Sequence, residues 1–234
     1  MRIAFTGASG TGKSTLAQWL SRELSLPMNP VGARSVAKDM GFVDFASGEP
    51  RPYLVDRADA AIYLALGGVV SEDPDVRLRA AKSALGGWAP ESVSSCRHLF
   101  QDLLQKQKMA WESSHPSGFI TDRTVCDNLA YEILHSLSTI TMEKFDRTYE
   151  AAQGYDFIFL CPVDSFYNPG GDRARVQDRA YHEAYECLLE GMVERSLLSA
   201  DYSSKVWYLS MSDLRDRQDF IRSVISLPRD TQEQ

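Results

Sequence analysis

The sequence predicts an α/β fold in which helices cover both faces of a parallel sheet, and three observations carry that reading. An apolar run, Ile3-Ala4-Phe5-Thr6, passes through a glycine-rich turn directly into a helical pattern in which Leu16, Leu20 and Leu24 recur every four residues. Tyr155-Asp156-Phe157-Ile158-Phe159-Leu160-Cys161 is nearly continuous in apolar residues, as suits a parallel strand covered on both sides. Between and beyond these, strand-like and helix-like runs alternate, the pattern of a three-layer parallel architecture.

The turn after the first strand, Gly7-Ala8-Ser9-Gly10-Thr11-Gly12-Lys13-Ser14, has the spacing Gly-x4-Gly-Lys-Ser and reads as a P-loop. Each part serves phosphate binding. Glycines let backbone N–H groups crowd around a β-phosphate, a surface-facing Lys13 reaches the β- and γ-oxygens, and the Ser14 hydroxyl ligates Mg²⁺. The helix that follows aims its positive N-terminus at the same anion, which brings in Thr15. The alternative is an ordinary strand-turn-helix without a nucleotide. A dinucleotide fingerprint, Gly-x-Gly-x-x-Gly, fails because Thr15 stands where its third glycine belongs.

A chain of 234 residues suits one α/β domain with a full core and an insertion, so residues 1–234 are read as a single domain. Its 44% hydrophobic and 24% charged content are those of a globular protein, and a net charge of −7 argues against non-specific coating of nucleic acid. Cys96, Cys126, Cys161 and Cys187 form no C-x-x-C pair, which disfavours a zinc site or a redox dithiol. Without an apolar run near the ~20 residues of a membrane span, a cytoplasmic protein with no membrane partner is expected.

After the first helix, residues 26–31 form a proline-broken edge strand leading to Arg34, a candidate for holding an anionic acceptor alongside Lys38; solvated surface charge is the alternative. Residues 45–56 read as loop. From Asp56 to about Trp111 the pattern is helical, with stops at Gly67-Gly68 and Gly86-Gly87 and a third helix from Ser94 or Ser95 to Trp111; the stretch is too long for a simple crossover, so about 50–112 is read as an insertion. Gly118-Phe119-Ile120-Thr121-Asp122-Arg123 is a short buried strand that delivers Asp122 to the sheet edge where α/β sites collect. Helices follow from Asp127 or Asn128 and from Thr141 to Gln153. After the 155–161 strand, residues 163–180 form a loop and lid, and a long helix runs from Val176 to about Leu198. Val206 to Leu209 is the last strand, Ser212 caps the last helix, and residues 229–234 form a polar tail.

Arg123 beside Asp122 is informative about chemistry. Hydrolytic P-loop ATPases need a carboxylate at that neighbouring position to activate water, and no Asn-Lys-x-Asp guanine signature is present. Arginine there suits phosphoryl transfer, neutralising phosphate charge while Asp122 holds Mg²⁺ or takes the acceptor proton. A loop-capping aspartate beside a surface arginine is the structural alternative.

Taken with Ile3 to Ser14, the run Ile120-Thr121-Asp122-Arg123-Thr124-Val125-Cys126-Asp127-Asn128-Leu129-Ala130-Tyr131, the strand at 155–162 and the arginines after it resemble the P-loop nucleoside and nucleotide kinases. The closest likeness is to the branch with the ribosylnicotinamide kinase domain of the bacterial NAD regulator and bacteriophage kinases of 5-hydroxymethyluracil in DNA. That resemblance implies Mg-ATP as donor, a hydroxyl on a nucleoside-type acceptor, and an arginine-bearing lid. Arg173, Arg175 and Arg179, after the flexible Gly170-Gly171, correspond to the lid, Arg175 and Arg179 as catalytic clamps and Arg173 toward ATP; a salt-bridged helix start is the alternative. The family's catalytic Glu after the second strand is missing from Val31-Gly32-Ala33-Arg34, which makes Asp122 the leading base. Asp127 and Asn128 are candidates for acceptor contact or helix capping.

Three functions stay open: a kinase of a small nucleoside, deoxynucleotide or nicotinamide riboside; a kinase of a base in DNA, toward which the phage-like resemblance leans; and a P-loop ATPase or switch. For DNA, residues 56–111 would wall a trough, with Arg77, Arg79, Lys82, Arg97, Lys106 and Lys108 on phosphates and Trp88 or Trp111 stacking on a base.

Overall fold

The computed structural model describes residues 1–33, 35–36, 95–135, 140–168, 179–197 and 202–226, with the backbone alone for 95–100, 135 and 202–203. The expectations for Arg34, Lys38, the helices between 56 and 94, the side chain of Arg97, Gly170-Gly171, Arg173, Arg175 and the tail lie outside the described residues.

The described elements are β1 (Arg2–Thr6), α1 (Lys13–Leu24), α2 (Ser95–Ser113), β2 (Phe119–Asp122), α3 (Val125–His135), α4 (Met142–Gln153), β3 (Phe157–Leu160), α5 (Arg179–Ser196), α6 (Tyr202–Lys205), β4 (Val206–Tyr208) and α7 (Leu214–Ser226). The sheet order is β2-β1-β3-β4, and every pairing is parallel, with Phe5 opposite Asp122 and Phe159. Alternation along the strands divides the core into two layers. Ile3, Phe5, Phe157 and Phe159 face Leu16 and Leu20 of α1 and Ile221 and Val224 of α7. Ala4 and Ile158 face the other way, against Leu129 of α3 and Tyr185, Leu189 and Val193 of α5. The α/β three-layer fold with a parallel sheet is therefore present, and it brings the C-terminal ends of β1 and β2 side by side.

Local chemistry moved several boundaries. The expected edge strand at 26–31 is reduced to one bridge, Met28 to Ile120, because Pro27 and Pro30 have no N–H to give a ladder. Helix α3 starts at Val125, ahead of Asp127, because Thr124 and Asp127 cap each other: Asp127 Oδ2 accepts from Thr124 N at 2.7 Å, and Asp127 N donates to Thr124 Oγ1 at 3.3 Å. The cap of α7 is Asp213 rather than Ser212, its Oδ1 accepting from Arg215 N at 2.7 Å and Asp216 N at 3.3 Å. Thr141 caps α4 as expected, its side chain accepting from Lys144 N.

Helix α2, expected as the end of an insertion, is packed as core. Lys108 is buried, pairing with Glu112 at 3.2 Å and donating to Thr121 Oγ1. Glu112 also accepts from Asn29 Nδ2 at 3.2 Å and Tyr155 Oη at 3.0 Å, so the charge is shared in a closed network. Lys106 pairs with Asp102 at 2.8 Å. Trp111 stacks on His115 at 3.8 Å between ring centroids and meets Phe119 edge-on. Lys108 is thus not presented to a nucleic-acid trough, because a buried ammonium requires a counter-charge within the chain, whereas Trp111 is half-buried beside His115 and Phe119.

Gly118 enters β2 with φ +133, and a Cβ there would stand 2.4 Å from Met1 O. Gly118→Ala is expected to destabilise the fold by about 2 kcal/mol or more, since strain and collision add; a chemical denaturation midpoint within experimental error of wild type would refute this.

Candidate active site

In the loop between β1 and α1, Gly10 O and Thr11 O are turned outward to Asn168 and Arg217, while Ala8 O accepts from within the loop. Gly7 has φ +128 and passes Cys161 O so closely that a Cβ would lie 2.5 Å from that oxygen, so only glycine fits. Gly12 is the N-cap of α1 with φ 86 and gives no side-chain cap, and α1 has no acidic residue in its first turn. The N–H groups that open this helix therefore lack a capping partner of their own and face an anion's natural position.

Lys13 is 5% exposed, a correction to the surface-facing side chain expected from sequence. Its ammonium donates to Ala8 O and, at 3.2 Å, to Thr11 Oγ1, and Thr11 Oγ1 itself donates to Ala8 O at 2.9 Å. The loop folds over its own lysine because the loop's carbonyls are the nearest acceptors. Burial, then the Arg123 charge, push the Lys13 pKa down to about 8, with Asp122 pulling the other way.

Across the loop, Ser14 Oγ donates to Asp122 Oδ2. Asp122 Oδ1 is buried and has no hydrogen-bond partner among the described residues. A hydroxyl joined to a carboxylate with one orphaned buried oxygen fits a hard cation such as Mg²⁺, which takes one or two protein oxygens and fills its other positions with phosphate and water. No cluster of three or more His, Cys, Asp or Glu suited to a metal occurs among the described residues.

Arg123 has φ 82, a strained value for a residue with a side chain, held by its N–H donating to Phe5 O at 2.7 Å. That turn carries the guanidinium back over the loop, where Nη2 donates to Ser9 Oγ at 3.1 Å. Behind it, Nη1 meets Asp127 Oδ1 at 3.2 Å and Tyr185 Oη at 3.3 Å, and Cζ sits 4.9 Å from the centre of the Tyr131 ring. Tyr185 Oη donates to Asp127 Oδ1 at 2.7 Å, and Thr6 Oγ1 donates to Asp127 Oδ2 at 2.6 Å. Asp127 is fully buried and saturated with donors, so it braces Arg123 and the end of β1 and leaves no oxygen for an acceptor. Asn128 is buried too, donating to Gln101 Oε1 at 3.5 Å. Neither reaches the pocket, because the capping exchange with Thr124 sets Asp127 facing inward.

These groups line a pocket of about 290 Å³ that contains Ser9, Lys13, Ser14, Asp122, Arg123 and, from the loop after β3, Phe166 and Asn168. That loop is tied down at Asn168, whose N–H donates to Gly10 O at 3.0 Å, and at Val163, whose N–H donates to Glu186 Oε2 at 2.8 Å. Burial, helped by Glu190 and Asp164, pushes the Glu186 pKa up to about 7 against that hydrogen bond. Arg179 stands in exposed pairs, at 2.6 Å from Asp164 and 2.7 Å from Glu183, contacts of the kind a salt-bridged helix start makes. Lys13, Ser14, Asp122 and Arg123 are thus brought together, whereas Asp127, Asn128 and Arg179 are not. Tyr185, Glu186 and Arg217, which also borders the loop, carry no sequence signal of a site; only Tyr131 falls within a motif read from the sequence.

No protein-family model matches the chain, and no curated protein matches it. Among solved structures, the deoxyadenosine kinase from M. mycoides with the products dCMP and a flexible dCDP bound superposes with a TM-score of 0.52 at 12% identity, covering 96% of this chain and 98% of that one. The same enzyme with dATP bound gives 0.49 at 14% identity, over 97% and 100% of the two chains. NadR protein in complex with NR gives 0.47 at 18% identity, over 95% of this chain and 50% of that chain. At 12% identity the first of these likenesses shows the fold alone, a three-layer α/β arrangement around a parallel sheet.

Proposed function

We propose that the protein is a kinase that transfers the γ-phosphate of Mg-ATP to a hydroxyl of a nucleoside-type small molecule. The observation that carries this reading is Ser14 bonded to Asp122, whose second oxygen is orphaned, in one pocket with the Lys13 ammonium and the Arg123 guanidinium. The loop's N–H groups and Lys13 bind the phosphate chain, and Ser14 and Asp122 hold the metal. Mg²⁺, when bound, neutralises charge that builds on the phosphate oxygens. Arg123, braced by Asp127 and Tyr185, presents a fixed guanidinium from the side of Ser9 and stabilises the transferring group without reorganising. Phosphoryl transfer through a loose transition state asks little of a base, so the weight on Asp122 is placed on the metal. Arginine in place of a water-activating carboxylate argues against the ATPase or switch.

A nucleoside-type acceptor is supported by the fold shared with a deoxyadenosine kinase that holds dCMP and dCDP. A base within DNA is the second acceptor reading; of the residues it would use, Lys108 is buried in a pair with Glu112 and Trp111 is half-buried against His115 and Phe119. Incubation with γ-labelled ATP and a panel of free nucleosides, nucleotides, nicotinamide riboside and hydroxymethylated DNA tests the proposal. Label on a free nucleoside or nucleotide supports it; label on DNA alone moves the acceptor to the polymer; loss of label to water alone restores the ATPase.

The Lys13 pKa of about 8 has a signed consequence. A bound phosphate restores the lysine's proton, so above pH 8 the nucleotide must bring a proton with it. ATP affinity is expected to fall roughly tenfold per pH unit between about 8 and the restored pKa. Calorimetry in buffers of different ionisation enthalpy at pH 8.5 should record proton uptake; its absence, with flat affinity from pH 7 to 9.5, would refute the assignment.

A further inference from the structure

We propose that Arg217 is a positioning residue for the phosphate loop, holding it in its phosphate-binding shape from outside the pocket. Arg217 lies on α7, is 2% exposed, and donates Nη1 to Thr11 O at 2.8 Å, Nε to Met211 O at 2.6 Å and Nη2 to Ser165 Oγ at 3.0 Å. Its Cζ lies 5.4 Å from the centre of the Phe166 ring, which lines the pocket. One guanidinium therefore joins the loop after β1, the loop after β3 and the turn after β4. Ser165 Oγ completes the join, lying 2.9 Å from both Pro162 O and Leu209 O.

Peptide planarity turns this contact into a functional one. In a trans peptide the C=O and the following N–H point in opposite directions. Pinning Thr11 O against Arg217 therefore aims Gly12 N–H away from Arg217. Gly10 O is pinned in the same way by Asn168 N at 3.0 Å, which sets the direction of Thr11 N–H. Two successive amides of the loop are thus oriented by residues from the C-terminal third of the chain. Lysine at 217 cannot reproduce this, because an ammonium on a flexible stem lacks the planar fork that reaches three acceptors at fixed angles.

The inference rests on the Mg-ATP reading, and binding without turnover tests it. Affinities for ADP, ATP and adenosine are measured by calorimetry for wild type, Arg217→Lys, Arg217→Met and Ser165→Ala, with thermal midpoints alongside. Expected are a tenfold or greater loss of ATP and ADP affinity in both Arg217 variants, a loss of about threefold in Ser165→Ala, and adenosine affinity within twofold of wild type throughout. A purely structural arginine would lower the midpoint and weaken all three ligands together, and that result overturns the proposal. So does full retention of ATP affinity by Arg217→Lys. If the Arg217 variants do not fold, Ser165→Ala decides by the same phosphate-specific difference. Wild type that binds no nucleotide overturns the kinase reading itself, a result distinct from nucleotide binding that is indifferent to Arg217.

Discussion

Replacing Lys13 with alanine is expected to lower the rate of phosphoryl transfer about 10³-fold, the upper end of what loss of one preorganised charge partner costs, while the fold survives. The fold survives although the side chain does not face solvent. Lys13 is buried, and its pKa is down at about 8 from 10.5, so in the folded protein without ligand the charge is unfavourable by on the order of 3 kcal/mol at neutral pH. The sign follows from proton counting. Between pH 8 and 10.5 the unfolded chain holds a proton on Lys13 that the folded chain has lost, so this group makes stability rise with pH across that window. Lys13→Ala should abolish that rise and leave the thermal midpoint at pH 7 equal to or above that of wild type, although the donors to Ala8 O are reduced by one. A midpoint lowered by ten degrees together with the lost activity would mean that the lysine is chiefly structural.

Asp122→Asn is expected to cut kcat by two or more orders of magnitude. The amide keeps one oxygen but loses the charge that a divalent cation needs, and its NH₂ replaces one of the two carboxylate oxygens with a group that cannot ligate a cation. A metal role predicts more than a rate loss: the Mg²⁺ concentration for half-maximal activity should rise at least tenfold. A base role predicts the same fall in kcat with unchanged Mg²⁺ dependence and a changed pH profile. Activity within a few-fold of wild type would return Asp122 to a loop-capping part.

Strand β1, the loop and helix α1 are contiguous, so spacing alone carried the glycines, Lys13 and Ser14 to one place; β3 was legible because seven nearly unbroken apolar residues leave a short segment no other home. Asp122 was legible for a related reason, standing at the end of a run whose burial required a strand. Helix starts were less so. Thr124 and Asp127 cap each other, and Asp213 rather than Ser212 caps α7; neighbouring residues of similar capping chemistry are told apart only by the directions their side chains take in the fold.

Charge was the least legible of all. Lys106, Lys108, Asp127 and Arg179 are indistinguishable as letters from ligand-binding groups, yet each has its partner within the chain: Lys108 on Glu112, Asp127 under Arg123 and Tyr185, Arg179 on Asp164 and Glu183. A charged side chain goes to whichever opposite charge or donor the packing of helices brings near, and that is a property of the sheet order β2-β1-β3-β4 rather than of any window of sequence. The groups of the proposed site were therefore placed locally, in eight consecutive residues and one strand end, because the shape of a glycine-rich backbone loop depends on dihedral freedom and neighbours along the chain. The support of that chemistry was not: Arg217 reaches Thr11 across 206 positions, and Tyr185 reaches Asp127 across 58, because parallel strands joined by helical crossovers bring residues together that only the folded sheet makes adjacent.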